Sequence, residues 1–141
     1  MINIHATLVN IQNKGVLICG KSGSGKSDLA LRLIMDNKAN LVADDRVDIE
    51  IIDNKLVGSS PSILRKKLEI RNVGILVCEN VVENTEISLV VELVDKREML
   101  ERFPEAEFQE ILGVNIPKIR LYAFDCSTNH KIIQKISGKF I

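Results

Sequence analysis

The sequence predicts an α/β fold in which a strand-rich sheet carries flanking helices. Short segments rich in isoleucine, leucine and valine recur along the chain between turn-forming residues, as expected for buried strands. One of these segments runs into a glycine-rich loop, and an amphipathic segment follows the loop at once. The chain has 141 residues, a length typical of one domain, and we place that single domain at 1–141.

The first half of the chain predicts several strands and one helix. The segments are a hairpin of strands 6–11 and 15–19 about a turn at 12–15, a helix that begins at Ser27 and fades at 36–38, a strand 40–43, strand-like segments 47–52 and 55–57 about the turn pair Asp53-Asn54, and a loop 58–61.

The second half is less regular. In order, it contains an ambiguous stretch 63–70, an apolar run 74–78, a clear strand 87–93, helix-compatible charged segments 97–103 and 105–112 separated by Pro104, a strand-like segment 116–122, and a tail 129–141 whose apolar residues form a helical stripe.

The glycine-rich loop matches the phosphate-binding loop (P-loop) pattern G-x-x-x-x-G-K-S. It comprises Gly20, Lys21, Ser22, Gly23, Ser24, Gly25, Lys26 and Ser27. The glycines let backbone N–H groups approach phosphate oxygens, and the start of the helix directs its unpaired N–H groups at the same anion. Lys26 is expected to contact the outer phosphates, and the Ser27 hydroxyl is expected to bind Mg²⁺. The sequence therefore predicts a P-loop-containing protein that binds a nucleoside triphosphate such as ATP.

Composition argues against several classes of protein. The 19 basic and 19 acidic residues cancel, so nothing indicates bulk attraction to nucleic acid or to an acidic membrane. No apolar run reaches the ~18 residues of a membrane span, and the N-terminus lacks the pattern of a signal peptide, so we expect a cytoplasmic protein. The three cysteines include no C-x-x-C pair and are expected to be reduced core thiols, with Cys19 structural despite its place before the loop.

A P-loop alone does not define a reaction, because phosphoryl transfer also needs an acceptor and a base. The pair Asp44-Asp45 follows strand 40–43, where one carboxylate could hold Mg²⁺ and the other could accept a proton from an attacking hydroxyl. Neighbouring residues of a strand point to opposite faces, so the two are not expected to share one role. A solvated turn is the alternative for this pair. Taken singly, His5 and Glu69 have the pattern of ordinary strand or surface residues.

Four motifs in order resemble the catalytic domain of HPr kinase/phosphorylase. They are His5-Ala6-Thr7-Leu8-Val9, Gly15-Val16-Leu17-Ile18 running into Gly20–Ser27, Leu41–Val47 with its V-A-D-D core, and Leu68-Glu69-Ile70-Arg71 with Gly74-Ile75. The resemblance spans most of 5–120 and implies a fold like the C-terminal domain of that kinase. It implies an enzyme that uses ATP and Mg²⁺ to phosphorylate a serine of the phosphocarrier protein HPr, or of its homologue in a regulatory phosphotransferase system.

The resemblance also implies roles for individual residues. One carboxylate of the pair Asp44-Asp45 becomes the base toward the serine hydroxyl, and its place after the loop favours Asp45 over Asp44 for that role. His5 would support that carboxylate. Glu69 would join Ser27 in the metal shell. Arg102 resembles the family's catalytic arginine, whose planar guanidinium suits the phosphoryl group in transfer.

The sequence departs from the family pattern at three places. Asn72 stands where the family usually has glycine, and Phe103-Pro104 replaces the usual residues after the arginine. The segment 121–127 replaces a P-V-R-P-G-R-N segment that the family links to dephosphorylation and to contacts between subunits. The reverse, phosphorylase reaction is therefore left open. The resemblance further implies the short single-domain form of some proteobacteria and a homo-oligomer, a trimer or hexamer.

Two other functions remain open from the sequence. The chain could be a P-loop kinase for a small molecule, although no arginine-rich lid is evident, or a non-catalytic ATP-sensing regulatory module. The presence of Lys26, Asp45 and Arg102 favours catalysis over sensing. Whether ATP or pyrophosphate is the preferred donor also stays open.

Overall fold

The computed structural model describes residues 1–62 and 65–141. A short 3₁₀ helix covers Arg97–Met99. The other elements of the described chain are β1 (Ile2–His5), β2 (Thr7–Ile11), β3 (Lys14–Cys19), α1 (Lys26–Asn37), β4 (Asn40–Ala43), β5 (Arg46–Ile52), β6 (Lys55–Ser59), β7 (Lys67–Ile70), β8 (Gly74–Val77), β9 (Asn84–Leu93), β10 (Glu107–Ile111), β11 (Val114–Leu121) and α2 (Thr128–Ser137).

Nine strands of the described chain form one sheet, and β7 and β8 form a separate hairpin. The order is β1-β5-β6-β9-β3-β2-β4, and β11, which carries β10, pairs with the second half of β9. Strands β9 and β11 run parallel to β3, and β4 does so too because it is antiparallel to β2, which is antiparallel to β3. The carboxyl ends of β3, β4, β9 and β11 therefore lie at one edge of the sheet, where open α/β sheets bind ligands.

The sheet separates two apolar cores, and alternate residues of β3 divide between them. Val16 and Ile18 face a core that includes Leu33 of α1 and Ile132 of α2, whereas Leu17 faces a core shared with β5 and β6. This alternation is the period-2 pattern of a strand buried on both faces. Among the described residues both helices contribute to the first core, so they flank the same face of the sheet. No helix of the described chain is long and apolar enough to cross a membrane.

The predicted α/β class, the P-loop order and the first hairpin are confirmed. Strand β6 continues to Ser59 and takes in part of the predicted loop, and α2 covers most of the tail stripe. The last four residues of the ambiguous stretch 63–70 form β7, and residues 63 and 64 lie outside the described residues. The cysteines were expected in the core: Cys78 is buried there, whereas Cys19 is only half-buried and Cys126 is exposed.

The prediction of a helix at 105–112 is wrong, because this stretch forms β10. Its charged composition was compatible with a helix, but the alternation of half-buried and exposed residues over Glu107–Ile111 has the period of a strand. Leu112 and Gly113 both have positive φ, 49° and 81°, and make the two-residue turn that pairs β10 with β11. The other charged segment, 97–103, is helical only over the 3₁₀ turn.

Helix α1, which follows the P-loop, packs on the sheet through its buried face. We therefore expect residues of that face to contribute more to the free energy of unfolding than exposed residues of the same helix. Leu33 is 0% exposed in the first core, and Met35 two residues later is 71% exposed. We expect Leu33→Ala to lower the free energy of unfolding by about 2–5 kcal/mol, because the deletion leaves a cavity. The matched change Met35→Ala on the same helix should cost less than about 0.5 kcal/mol. Urea titration followed by circular dichroism measures both, and equal losses would contradict the assigned packing.

Candidate active site

The P-loop connects the end of β3 to the start of α1 at the shared carboxyl edge. Gly20, Gly23 and Gly25 have φ of 156°, 81° and 101°, and Gly25 is the N-cap of α1. These conformations are readily open only to glycine. They account for the glycine spacing of the motif, because the loop must fold closely enough to turn backbone N–H groups inward.

Lys26 is folded over the loop. Its Nζ donates hydrogen bonds to the carbonyl oxygens of Gly20 and Lys21, at 2.8 and 2.9 Å. Burial lowers the pKa of Lys26, and the charges of Asp44 and Asp45 oppose that shift. The buried hydroxyl of Ser24 has no hydrogen-bond partner in the described part of the chain. A buried cation and an unsatisfied hydroxyl in a glycine-rich loop at the start of a helix fit a phosphate ligand.

Asp44 is buried at the centre of the site. Its Oδ1 accepts hydrogen bonds from Ser27 Oγ at 2.8 Å and Thr7 Oγ1 at 2.9 Å, and its Oδ2 accepts one from the backbone N–H of Glu69 at 3.3 Å. The carboxylate therefore joins α1, β2 and β7. It also places an oxygen next to the hydroxyl that the sequence predicts as a Mg²⁺ ligand.

Asp45 points away from Asp44 and is exposed. Its φ of 71° lies in the left-handed region, which aspartate tolerates better than most residues. Its Oδ1 lies 2.9 Å from Nε2 of His5, and the pairing of β1 with β5, which sets His5 opposite Arg46, brings the two side chains together. The predicted divergence of Asp44 and Asp45 is observed, but it arises in a turn after β4 rather than from strand alternation.

The hairpin β7–β8 forms a wall of the cleft above the P-loop. Glu69, Ile70, Arg71 and Asn72 line a cavity of about 330 Å³ together with the P-loop and both aspartates. Asn72 has φ of 71°, in the turn of this hairpin. Asparagine is the residue that best replaces glycine in this conformation, so the departure from the family pattern keeps the turn.

The residues predicted to hold Mg²⁺ lie together, and Asp44 joins them. Ser27, Asp44 and Glu69 all line the cleft. In the described chain, no group of three or more His, Cys, Asp or Glu side chains is placed to hold a metal ion by itself. Mg²⁺ is usually held by one or two carboxylates with phosphate oxygens and water, so these residues fit a metal that arrives with a nucleotide.

Arg102 is a predicted catalytic residue that the structure does not bring to the cleft. It is exposed in the segment between β9 and β10, and its guanidinium carbon lies 5.4 Å from the ring centroid of Phe103. Lys21, although part of the P-loop, is also exposed and pairs with Asp95 at 3.0 Å. The structure thus brings most of the P-loop and both aspartates to one cleft but leaves Arg102 outside it.

Thr7 and Phe124 also line the cleft, and neither was predicted from the sequence. Thr7 supports Asp44, and its signal would have been its position at the start of β2, beside the P-loop strand. Phe124 follows β11 and lines the cleft next to Gly25. No local pattern marks it, since only the pairing of β11 with β9 brings it to this edge.

Cys19 precedes the P-loop without taking part in its chemistry. Burial raises the pKa of its thiol to about 11, and the nearby carboxylate of Glu92 adds to the shift. Because the thiolate is the reactive form, this cysteine is inert near neutral pH. Its expected structural role agrees with this environment.

The hydrogen bonds of Asp44 predict a difference between the two aspartates. Asp44→Asn replaces a buried acceptor with an amide that presents N–H groups to existing donors, which should cost about 1–3 kcal/mol of unfolding free energy. Asp45→Asn removes an exposed carboxylate and should change stability by less than about 0.5 kcal/mol. Urea unfolding of both variants measures this, and an unchanged midpoint for Asp44→Asn would refute the buried hydrogen-bond network.

Comparison with known proteins identifies the family. The family model for the HPr Serine kinase C-terminal domain matches residues 1–140. The chain is 41% identical over 128 residues to an HPr kinase/phosphorylase of Caldicellulosiruptor bescii, covering 84% of this chain and 41% of that protein. It is 42% identical over 129 residues to an HPr kinase/phosphorylase of Lactobacillus acidophilus, covering 84% of this chain and 40% of that protein.

A solved structure of the Hpr(Ser) kinase/phosphatase from Coxiella burnetii has the same fold. Its TM-score is 0.84 at 31% identity, and the match covers 96% of this chain and 88% of that chain. The chain spans about two fifths of the length of the curated relatives it matches. With its P-loop, its paired aspartates and a match over 1–140, the chain belongs to the family of the HPr serine kinase C-terminal domain.

Proposed function

We propose that this chain is the catalytic domain of an ATP- and Mg²⁺-dependent serine kinase that acts on the phosphocarrier protein HPr or a homologue of it. The observation that carries the proposal is that the two neighbouring aspartates beside the P-loop lie in different environments. Asp44 is buried against Ser27, and Asp45 is exposed against His5. A donor site and a proton acceptor therefore lie side by side.

The donor half of the reaction is supported by the P-loop. Its N–H groups and the start of α1 would hold the phosphates of ATP, and Lys26 would leave the carbonyls of Gly20 and Lys21 to contact the outer phosphates. Ser27, Asp44 and Glu69 would hold Mg²⁺, which neutralises charge on the phosphates. The hydrogen bond between Asp44 and Ser27 orients the hydroxyl before any ligand arrives.

The acceptor half is supported by the exposure of Asp45. Serine is a weak nucleophile at neutral pH, so its proton must pass to a positioned base as the new P–O bond forms. The Asp45 side chain is 65% exposed, which leaves it open to a hydroxyl on another protein. His5 Nε2, 2.9 Å from Asp45, would fix the direction of the carboxylate.

Replacement of Asp45 tests this assignment. Asp45→Asn should lower the rate of phosphoryl transfer about 10²- to 10⁴-fold, because the amide cannot accept the proton, while the affinity for Mg-ATP stays unchanged. The assay follows labelled phosphate from ATP to a seryl phosphocarrier protein, with a carrier whose acceptor serine is alanine as the blank.

Asp53→Asn is the matched control for that change. Asp53 is also an exposed aspartate with positive φ, 52°, but it lies in the turn between β5 and β6. The Asp53→Asn variant should transfer phosphate at the wild-type rate.

Two results of the same assay would favour the alternative functions. Binding of ATP by the wild-type chain without transfer to any carrier would favour the ATP-sensing module. Transfer to a small molecule alone would favour a P-loop kinase for a small molecule.

Arg102 is proposed as a catalytic residue that reaches the phosphoryl group only when the substrates are bound. Arg102→Ala should lower the transfer rate on the order of 10³-fold with little change in ATP affinity, because the guanidinium would act on charge in the transition state. Glu101→Gln, an exposed neighbour, is the control. A wild-type rate for Arg102→Ala would remove this residue from the mechanism.

A further inference from the structure

The topology places the P-loop between two different sets of residues at one edge of the sheet. The loop follows β3. Asp44 and Asp45 follow β4, which is two strands from β3 on one side, with β2 between. Phe124 follows β11, which is two strands from β3 on the other side, with β9 between. A ligand extended along the P-loop would therefore have the aspartates at one end and Phe124 at the other.

Phe124 is an exposed aromatic side chain held against the P-loop. It is 55% exposed and lines the same cleft as Lys26 and Asp44. A Cβ atom added to Gly25 would lie 3.0 Å from Cζ of Phe124, so the edge of the ring rests against the loop backbone. Singly exposed apolar side chains are common on protein surfaces, so it is the position of this ring beside the P-loop, and not its exposure, that marks it as a contact for a ligand.

The segment that carries Phe124 is anchored on both sides of the residue. Ala123 is fully buried, and the guanidinium of Arg32 donates to the carbonyl oxygens of Ala123 and Asp125. The ring of Tyr122 packs edge-to-face on Phe124, with centroids 5.5 Å apart and planes at 76°. The position of the ring is therefore set before a ligand binds, which lowers the cost of using it as a contact.

We propose that Phe124 is the platform on which the base of the nucleotide stacks. The inference rests on the proposed function, because it assumes that the P-loop binds a nucleotide. The transferred phosphoryl group must lie at the end that faces Asp45, so the base extends toward the opposite end, where Phe124 lies. The ring face offers no hydrogen-bonding group, so stacking there accepts any purine, and ATP and GTP should bind with similar affinity.

The test separates the base from the phosphates. Calorimetry compares binding of Mg-ATP with binding of Mg-tripolyphosphate, which has the phosphates without a base. Phe124→Ala should weaken the affinity for ATP about 5- to 100-fold and leave that for tripolyphosphate unchanged. Phe108→Ala, which removes a ring that is 61% exposed on β10, is the matched control and should change neither.

A tryptophan at the same position gives a second readout. The chain contains no tryptophan, so Phe124→Trp introduces a single fluorophore. A stacked base should quench its emission when ATP is added, whereas tripolyphosphate should not. The variant should bind ATP at least as tightly as the wild type, because the larger ring keeps the platform.

Each other result has a definite meaning. Equal weakening of ATP and tripolyphosphate by Phe124→Ala would show that the ring only supports the P-loop, and unchanged affinities would remove it from the donor site; both overturn the proposal. Unchanged ATP affinity with a raised KM for the phosphocarrier would reassign the ring to protein docking, which also overturns it. Failure of the wild-type chain to bind either ligand would instead overturn the proposed function, and the platform with it.

Discussion

The buried carboxylate of Asp44 is the interaction on which the rest of the site depends. A buried charge is costly unless it is hydrogen-bonded. The Asp44 carboxylate accepts hydrogen bonds from donors on β2, α1 and β7. Because each donor belongs to a different element, satisfying the charge also fixes those elements relative to one another. The cleft wall, the start of the P-loop helix and the strand after His5 are therefore positioned by one group.

The turn after β4 lets two adjacent aspartates serve different purposes. Asp44 faces inward and accepts a hydrogen bond from the hydroxyl of Ser27, the proposed Mg²⁺ ligand, while the left-handed conformation of Asp45 turns its carboxylate outward toward His5. A strand would also have separated them, but onto opposite faces of the sheet. The turn keeps both at the same edge, in the cleft beside the P-loop.

The sequence predicts structure best in short segments whose residues must adopt particular backbone conformations. The P-loop could be read from its letters because the glycine positions reflect backbone conformations that other residues adopt poorly. The prediction from sequence failed at β10, because its charged residues fit a helix as well as an exposed strand. Only the pairing with β11 decides between the two. The position of Phe124 in the cleft could not be predicted from the sequence either, because it depends on β11 lying next to β9.

The sequence by itself determined the functional groups available to this protein: a P-loop motif, two acids, a histidine and their order along the chain. Those properties are local, since they follow from residue type and from spacing within a few residues. The tertiary structure decided which groups meet, because strands far apart in sequence share one edge of the sheet. It brought Thr7 and Ser27 to Asp44 and set Phe124 beside Gly25, and it left Arg102 outside the cleft.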